Sequence, residues 1–200
     1  MKHIVVFASG SGTNFQSLID AIEAGHIPAR IRALVTNNSE AGALQRARRH
    51  GIETAVLTPD EFENRQAYEQ HLLDKLKLWE TDLIVLAGYI RKIPASVIQA
   101  YEGRMVNIHP SLLPKYGGKG FYGIKVHRAV IENGETQTGC TVHLVTEEYD
   151  KGPIIAQETV PVHPTDDAET LAKRVLKEEH KLLPRVVGEL IENLNQKENS

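Results

Sequence analysis

One cysteine in 200 residues, Cys140, is too few for an intrachain disulfide or a cysteine-rich zinc site, and it points to a reducing compartment. Positive charge is not in excess either. Lys and Arg number 23 against 26 Asp and Glu, and the net charge of -3 offers no basic field to a nucleic-acid backbone. Long apolar runs are missing as well. Ile4 to Ala8, behind Met1-Lys2, is interrupted at once by Gly10, Gly12 and Asn14, far short of a signal-peptide core. No run approaches the length that spans a membrane. Nine histidines are present, yet no His-x-x-x-His and no His/Asp cluster falls at ligand spacing, so no metal site is expected. Repeats, low-complexity tracts and linkers are absent too. These absences leave a soluble, cytoplasmic chain whose residues 1–200 make one α/β domain, with no nucleic-acid or membrane partner.

What is there alternates. Ile4 to Ala8 is a continuous apolar run, as in a strand covered on both faces of a parallel sheet. Phe15, Leu18, Ile19 and Ile22 follow at helical spacing. Strands are expected at Ile31 to Val35, Glu53 to Leu57, Asp82 to Ala87 and Arg104 to Ile108. Helices are expected at Gly42 to His50 and Pro94 to Tyr101. Thr58-Pro59-Asp60-Glu61 carries the cap, proline and acidic first turn that open a helix, here predicted to run to about Trp79. Lys115 to Gly123, with four glycines and no periodicity, reads as a mobile loop ahead of a helix over Lys125 to Asn133. Cys140 to Val145 and Pro153 to Val162 are joined by too few residues for a crossover helix, so they pair antiparallel. Asp166-Asp167 opens a last helical region that Pro184 must kink or divide, with a polar end after Asn195 expected to fray. The fold class is therefore α/β: a doubly wound, mostly parallel sheet with an antiparallel strand pair near the C-terminus.

Two stretches carry chemistry. Ser9-Gly10-Ser11-Gly12-Thr13-Asn14 joins a strand to a helix N-terminus, where free N–H groups and the helix dipole favour a phosphate. A plain helix cap by Thr13 or Asn14 is the alternative. A dinucleotide site fits poorly, because Phe15 stands where a third glycine belongs and Thr36-Asn37-Asn38 supplies no acid for a ribose. The second stretch is Asn107-Ile108-His109-Pro110-Ser111-Leu112-Leu113-Pro114. Asn107 and His109 are two apart, so on an extended strand both face one side, an amide donor beside a proton carrier. Both stretches, and Gly88 to Ile93, fall at strand C-termini, where ligands bind in such sheets.

Four motifs then resemble the folate-dependent phosphoribosylglycinamide formyltransferase family over Ile4 to about Leu190. They are Ser9-Gly10-x-Gly12-Thr13-Asn14, Leu86-Ala87-Gly88-Tyr89-x-Arg91, Asn107 through Pro114, and His143-x-Val145-x-x-x-x-Asp150-x-Gly152-Pro153. The resemblance implies a Rossmann-like formyltransferase fold in one catalytic domain. It implies transfer of the formyl group of 10-formyltetrahydrofolate to glycinamide ribonucleotide in purine biosynthesis, by a monomer or homodimer without a metal. In that family's terms Asn107 would stabilise the oxyanion and His109 would carry the proton. Asp150 would orient His109 and favour its charged form, which would set an upper pH limit. Ser11, Gly12, Thr13 and Asn14 would hold the phosphate, and Glu179 the ribose or amine end. Arg65, Ile90, Arg91, Lys92, Ile93, Asn107, Thr146, Glu147, Glu148, Tyr149 and Asp150 would line the folate site. Ser111 and His143 read as structural support.

The loop Tyr116 to Gly123 is longer than the turn usual there, and Lys92 stands where relatives are often apolar. Four alternatives compete with this reading. A formyltetrahydrofolate hydrolase would carry an added N-terminal domain, and a methionyl-tRNA formyltransferase an added C-terminal one with a basic face. A non-catalytic nucleotide-binding module would show no folate binding. A metal hydrolase would need ligands that the spacing does not supply.

Overall fold

The computed structural model describes residues 1–198, with side chains to Gln196. The chain opens with β1 (Lys2–Phe7), α1 (Thr13–Glu23), β2 (Ala29–Thr36), α2 (Gly42–Arg49) and β3 (Glu53–Val56). After one 3-10 turn at Pro59–Glu61 come α3 (Arg65–Leu78), β4 (Leu83–Leu86), α4 (Ala95–Ala100) and β5 (Met105–His109). α5 (Ile124–Glu132), β6 (Gln137–Leu144), β7 (Ile154–Pro161) and α6 (Ala168–Glu198) complete it.

The strands form one seven-stranded sheet in the order β3-β2-β1-β4-β5-β6-β7. Pairing is parallel from β3 to β5 and antiparallel at β5-β6 and β6-β7. The chain winds from β1 outward to β3, then crosses back so that β4 lies on the other side of β1. The order reverses between β1 and β4, and their C-terminal ends open the crevice in which such sheets bind ligands.

β1 shows why a continuous apolar run is needed there. Ile4 and Val6 face a core layer shared with Phe15 and Leu18 of α1 and with Leu171, Val175, Leu183 and Val186 of α6. Val5 and Phe7 face the opposite layer, with Leu72, Leu76 and Trp79 from α3 and its end, and Val97 of α4. Each such side chain removed from water contributes ~1.5–3 kcal/mol.

One element differs from expectation, and a second narrows it. Thr58 to Glu61 opens a single turn rather than the long helix. The Glu61 carboxylate accepts the Thr58 N–H at 3.2 Å, and Phe62 then returns to an extended conformation. α3 has its own cap three residues on, where Asn64 Oδ1 accepts the Ala67 N–H at 2.9 Å. Arg65 is thus the first residue of α3, not a residue inside an earlier helix. Pro184 does not divide α6, which runs unbroken as one helix of 31 residues. Leu182, Leu183, Val186 and Val187 are all buried on both sides of the proline, so packing holds the segment where a backbone hydrogen bond is missing. The end expected to fray is helical as far as Glu198, and Asn199 and Ser200 lie outside the described residues. Among the described residues no helix is long and apolar enough to cross a membrane.

Candidate active site

Asn107 and His109 both lie in β5, whose neighbours decide what each meets. β6 runs antiparallel beside it, with His143 opposite Asn107 and Thr141 opposite His109. Asn107 Nδ2 lies 3.1 Å from His143 Nε2. His143 Nδ1 is 2.8 Å from the Leu144 carbonyl, which only accepts, so Nδ1 bears the proton and Nε2 accepts from the Asn107 amide. One amide hydrogen of Asn107 is thereby engaged, and the other is left for a ligand. His143, expected as support, stands against the Asn107 side chain through this contact. Ser111 braces the next loop, its Oγ donating to the Lys115 carbonyl at 2.6 Å.

His109 is almost fully buried, and its Nε2 donates to the Tyr116 carbonyl at 2.8 Å. Its Nδ1 therefore presents a lone pair toward Asp150 Oδ2, 3.6 Å away. That separation is too long for a hydrogen bond. Burial lowers the His109 pKa, and although the Asp150 charge and the Tyr116 carbonyl oppose this, the net shift is downward. Asp150 does favour the charged form of His109, as expected, but desolvation outweighs the carboxylate and the net shift is downward.

Asp150 occupies the β6-β7 connection with a left-handed φ of 55°, a conformation unusual for any residue with a side chain. Its Oδ2 accepts the Gly118 N–H at 2.8 Å, and its Oδ1 is 3.5 Å from His143 Nε2. Burial raises its pKa, but the Gly118 N–H and the positive charge that His143 or His109 bears when protonated hold it below the ordinary carboxylate value. It is an anion between two imidazoles.

At the other end of the crevice, Gly12 adopts a φ of 72° and stands at the N-cap of α1 with no side-chain cap. The plain-cap alternative is therefore not realised. Thr13 is already helical, and the Asn14 amide donates instead to Glu179 Oε2 of α6 at 2.6 Å. Glu179 is buried, which raises its carboxyl pKa despite that bond. Asn14 Oδ1 is buried without a partner among the described residues.

These groups line two adjoining cavities. The larger, about 800 Å³, contains Ser11, Gly12, Thr13, Asn14 and Glu179 together with Ile90, His109, the Gly118 to Gly123 loop and the start of α5. The smaller, about 80 Å³, is lined by Arg91, Lys92, Ile93 and Thr146, Glu147, Glu148, along with Leu86 and His143. Tyr89, Asn107, Tyr149 and Asp150 line both. Arg91 lies 3.7 Å from Asp60, and the Lys92 ammonium sits 5.7 Å from the Tyr149 ring centroid. Arg65 is the one expected site residue in neither cavity. Its guanidinium pairs with Glu69 at 2.6 Å on an exposed face of α3. Ser9 ties the two ends together, since its N–H donates to the Gly88 carbonyl and its Oγ accepts the Ile90 N–H, each at 3.1 Å.

His127 belongs to none of the sequence motifs. It lies on α5 between Val126 and Val130, is buried, and lines the larger cavity. Burial, with His109 nearby, lowers its pKa to about 4, and its Nδ1 has no partner among the described residues. Only its place on an apolar helical face could have marked it. Among the described residues no group of three or more His, Cys, Asp or Glu is arranged to hold a metal.

Comparison with known proteins gives one consistent family. Residues 2–187 match the model of a family described as formyl transferase. A chloroplastic phosphoribosylglycinamide formyltransferase of Vigna unguiculata is 47% identical over 191 residues, 96% of this chain and 61% of that one. The chain thus spans less than two thirds of that relative's length. The phosphoribosylglycinamide formyltransferase of Escherichia coli K12 is 40% identical over 93% of this chain and 85% of its own. The crystal structure of glycinamide ribonucleotide transformylase 1 from Symbiobacterium toebii superposes with a TM-score of 0.90 at 38% identity, covering 96% of this chain and 89% of that one.

Proposed function

Because the chain belongs to the formyl transferase family, we propose that it transfers the formyl group of 10-formyltetrahydrofolate to the amine of 5′-phosphoribosylglycinamide. The products are N-formylglycinamide ribonucleotide and tetrahydrofolate, in de novo purine biosynthesis. One observation carries the reading: an uncapped helix N-terminus and a second, smaller cavity meet at Asn107 and Asp150. A phosphate at α1 and a folate head in the smaller cavity would bring amine and formyl carbon together at that junction.

The proton inventory follows from the tautomers. The amine attacks the formyl carbon, and the free amide hydrogen of Asn107 stabilises the oxyanion that develops. His109 takes the amine proton at Nδ1, its only free nitrogen, and the imidazolium so formed faces the Asp150 carboxylate. The same proton passes to the departing folate nitrogen as the carbon–nitrogen bond breaks. Ser11 to Asn14 hold the phosphate, and Glu179 the ribose or amine end. Arg91 to Ile93 and Thr146 to Asp150 enclose the folate, much of it through backbone groups, with Ile90 on the adjoining wall. Arg65 is left out of this reading. No step calls for a metal. One catalytic domain carries the reaction, and a monomer or a homodimer is compatible because one chain lines both cavities. The location that goes with this reading is the cytoplasm.

The test is a spectrophotometric assay of folate release with and without the ribonucleotide. Release that depends on the ribonucleotide is expected. Release with water alone would mark a hydrolase, and none in either case would overturn the enzyme reading.

A further inference from the structure

An anion cradle needs its carbonyl oxygens turned away as much as it needs N–H groups turned inward. In the turn after β1 four consecutive carbonyls are each claimed from outside the cavity. The Ser9 carbonyl accepts from Asn38 Nδ2 at 3.3 Å, and the Gly10 carbonyl from the Ala43 N–H at 3.1 Å. The Gly12 carbonyl accepts the Gln16 N–H at 2.9 Å, as the first bond of α1. The remaining one, on Ser11, accepts from Arg46 Nε at 2.9 Å. Arg46 Nη1 also donates to Gln16 Oε1 at 3.1 Å, so one guanidinium spans both ends of the first turn of α1.

The two helices are in intimate contact here. A Cβ on Gly12 would meet Ala43 at 2.7 Å, and one on Gly42 would meet the Ser11 backbone at 3.2 Å. Arg46 itself is half-buried and lines neither cavity. It reaches a ligand only through Ser11.

We infer that Arg46 is a positioning residue for the anion site, holding the Ser11 carbonyl out of the cradle so that the N–H groups of the turn converge on the phosphate. This rests on the reading of that turn as the phosphate site of the ribonucleotide. A planar fork suits the task because it grips two acceptors at fixed separation, which a lysine ammonium on a flexible stem does not.

The experiment compares glycinamide ribonucleotide with its dephosphorylated ribonucleoside as formyl acceptors for the wild type, Arg46→Gln and Arg46→Lys. The wild type should favour the phosphorylated acceptor. Arg46→Gln should raise KM for the ribonucleotide about tenfold, the size of one lost charge-assisted hydrogen bond, with kcat and the folate KM unchanged. KM for the ribonucleoside should not move. Arg46→Lys should retain most of the defect. An unchanged ribonucleotide KM in Arg46→Gln would overturn the inference and leave the phosphate site standing. Full recovery in Arg46→Lys would also overturn it, by showing that the charge acts at a distance. A wild type indifferent to the phosphate would remove the phosphate-site reading itself, and the inference with it.

Discussion

Asn107 has two amide hydrogens, and His143 takes one. The division matters because an amide free to rotate could offer its oxygen to a developing oxyanion and repel it. Asn107→Ala removes the donor and is expected to lower kcat by ~100- to 1,000-fold, measured at saturating concentrations of both substrates. His109→Ala should cost ~100- to 10,000-fold in kcat with a smaller change in KM, since the proton transfer proposed for it lies in the transition state. Near-normal turnover in either variant would remove that residue from the mechanism. The direction of the Asp150 prediction stands, but burial changes which limb of the pH profile it moves. The carboxylate raises the His109 pKa against a larger desolvation effect, so its loss lowers that pKa further. Nδ1 must be unprotonated to accept the amine proton. Asp150→Asn should therefore move the acid limb of kcat/KM to lower pH while lowering kcat, because the imidazolium loses its counter-charge. The sequence alone pointed to an upper pH limit, since it shows that a carboxylate is near but not how dry the site is. A pH profile from 5 to 9 distinguishes the two, and an unmoved acid limb would sever Asp150 from His109.

The connection that carries Asp150 is held by a close approach of backbone to backbone. A Cβ on Gly152 would lie 1.8 Å from the Leu144 carbonyl oxygen, beside the bond from the Leu144 N–H to the Pro153 carbonyl at 2.9 Å. Gly152→Ala is expected to destabilise the fold by ~1–3 kcal/mol and to lower kcat by displacing Asp150, read from urea midpoints and turnover together. An unaffected midpoint would show that the connection gives way freely. The same region shows what was legible beforehand. The β6-β7 pairing followed from a loop too short for a crossover, and β1 and β4 from apolar runs that only a doubly covered strand explains. The partner of Asn107 was not legible, because His143 lies 36 residues away and meets it only through the β5-β6 register. The start of α3 was misread because Thr58 to Glu61 and Asn64 are both sound caps, and local chemistry does not say which one begins the longer helix. Pro184 was expected to kink or divide the last helix; the division does not occur, because burial of the residues around it offsets the missing backbone bond.

Crossing from β3 back to β4 places the uncapped start of α1, the Asn107 strand and the Asp150 connection along one edge of the sheet. That arrangement makes a site of three segments far apart in the chain. It also buries three histidines, His109, His127 and His143, along the same rim. A neutral buried imidazole links folding to pH, and the sign can be worked out for His127. Its pKa is about 4 in the fold against an ordinary 6.5. Between those values the unfolded chain binds the proton and the folded one does not, so stability rises with pH across that window. Its neutral contribution is fully present above 6.5 and is lost as the pH falls toward 4, at a slope of at most about 1.4 kcal/mol per pH unit. His109, shifted in the same direction by burial, adds to the loss. Carboxylates protonate in the same range, so the wild-type curve alone cannot isolate the imidazole. Subtracting the curve of His127→Gln, which keeps a polar group and cannot protonate, does. Urea unfolding at pH 7.5 and 4.5 should show the variant losing less stability than the wild type between the two. Equal losses would mean that the fold does not lower the His127 pKa, and would overturn the prediction.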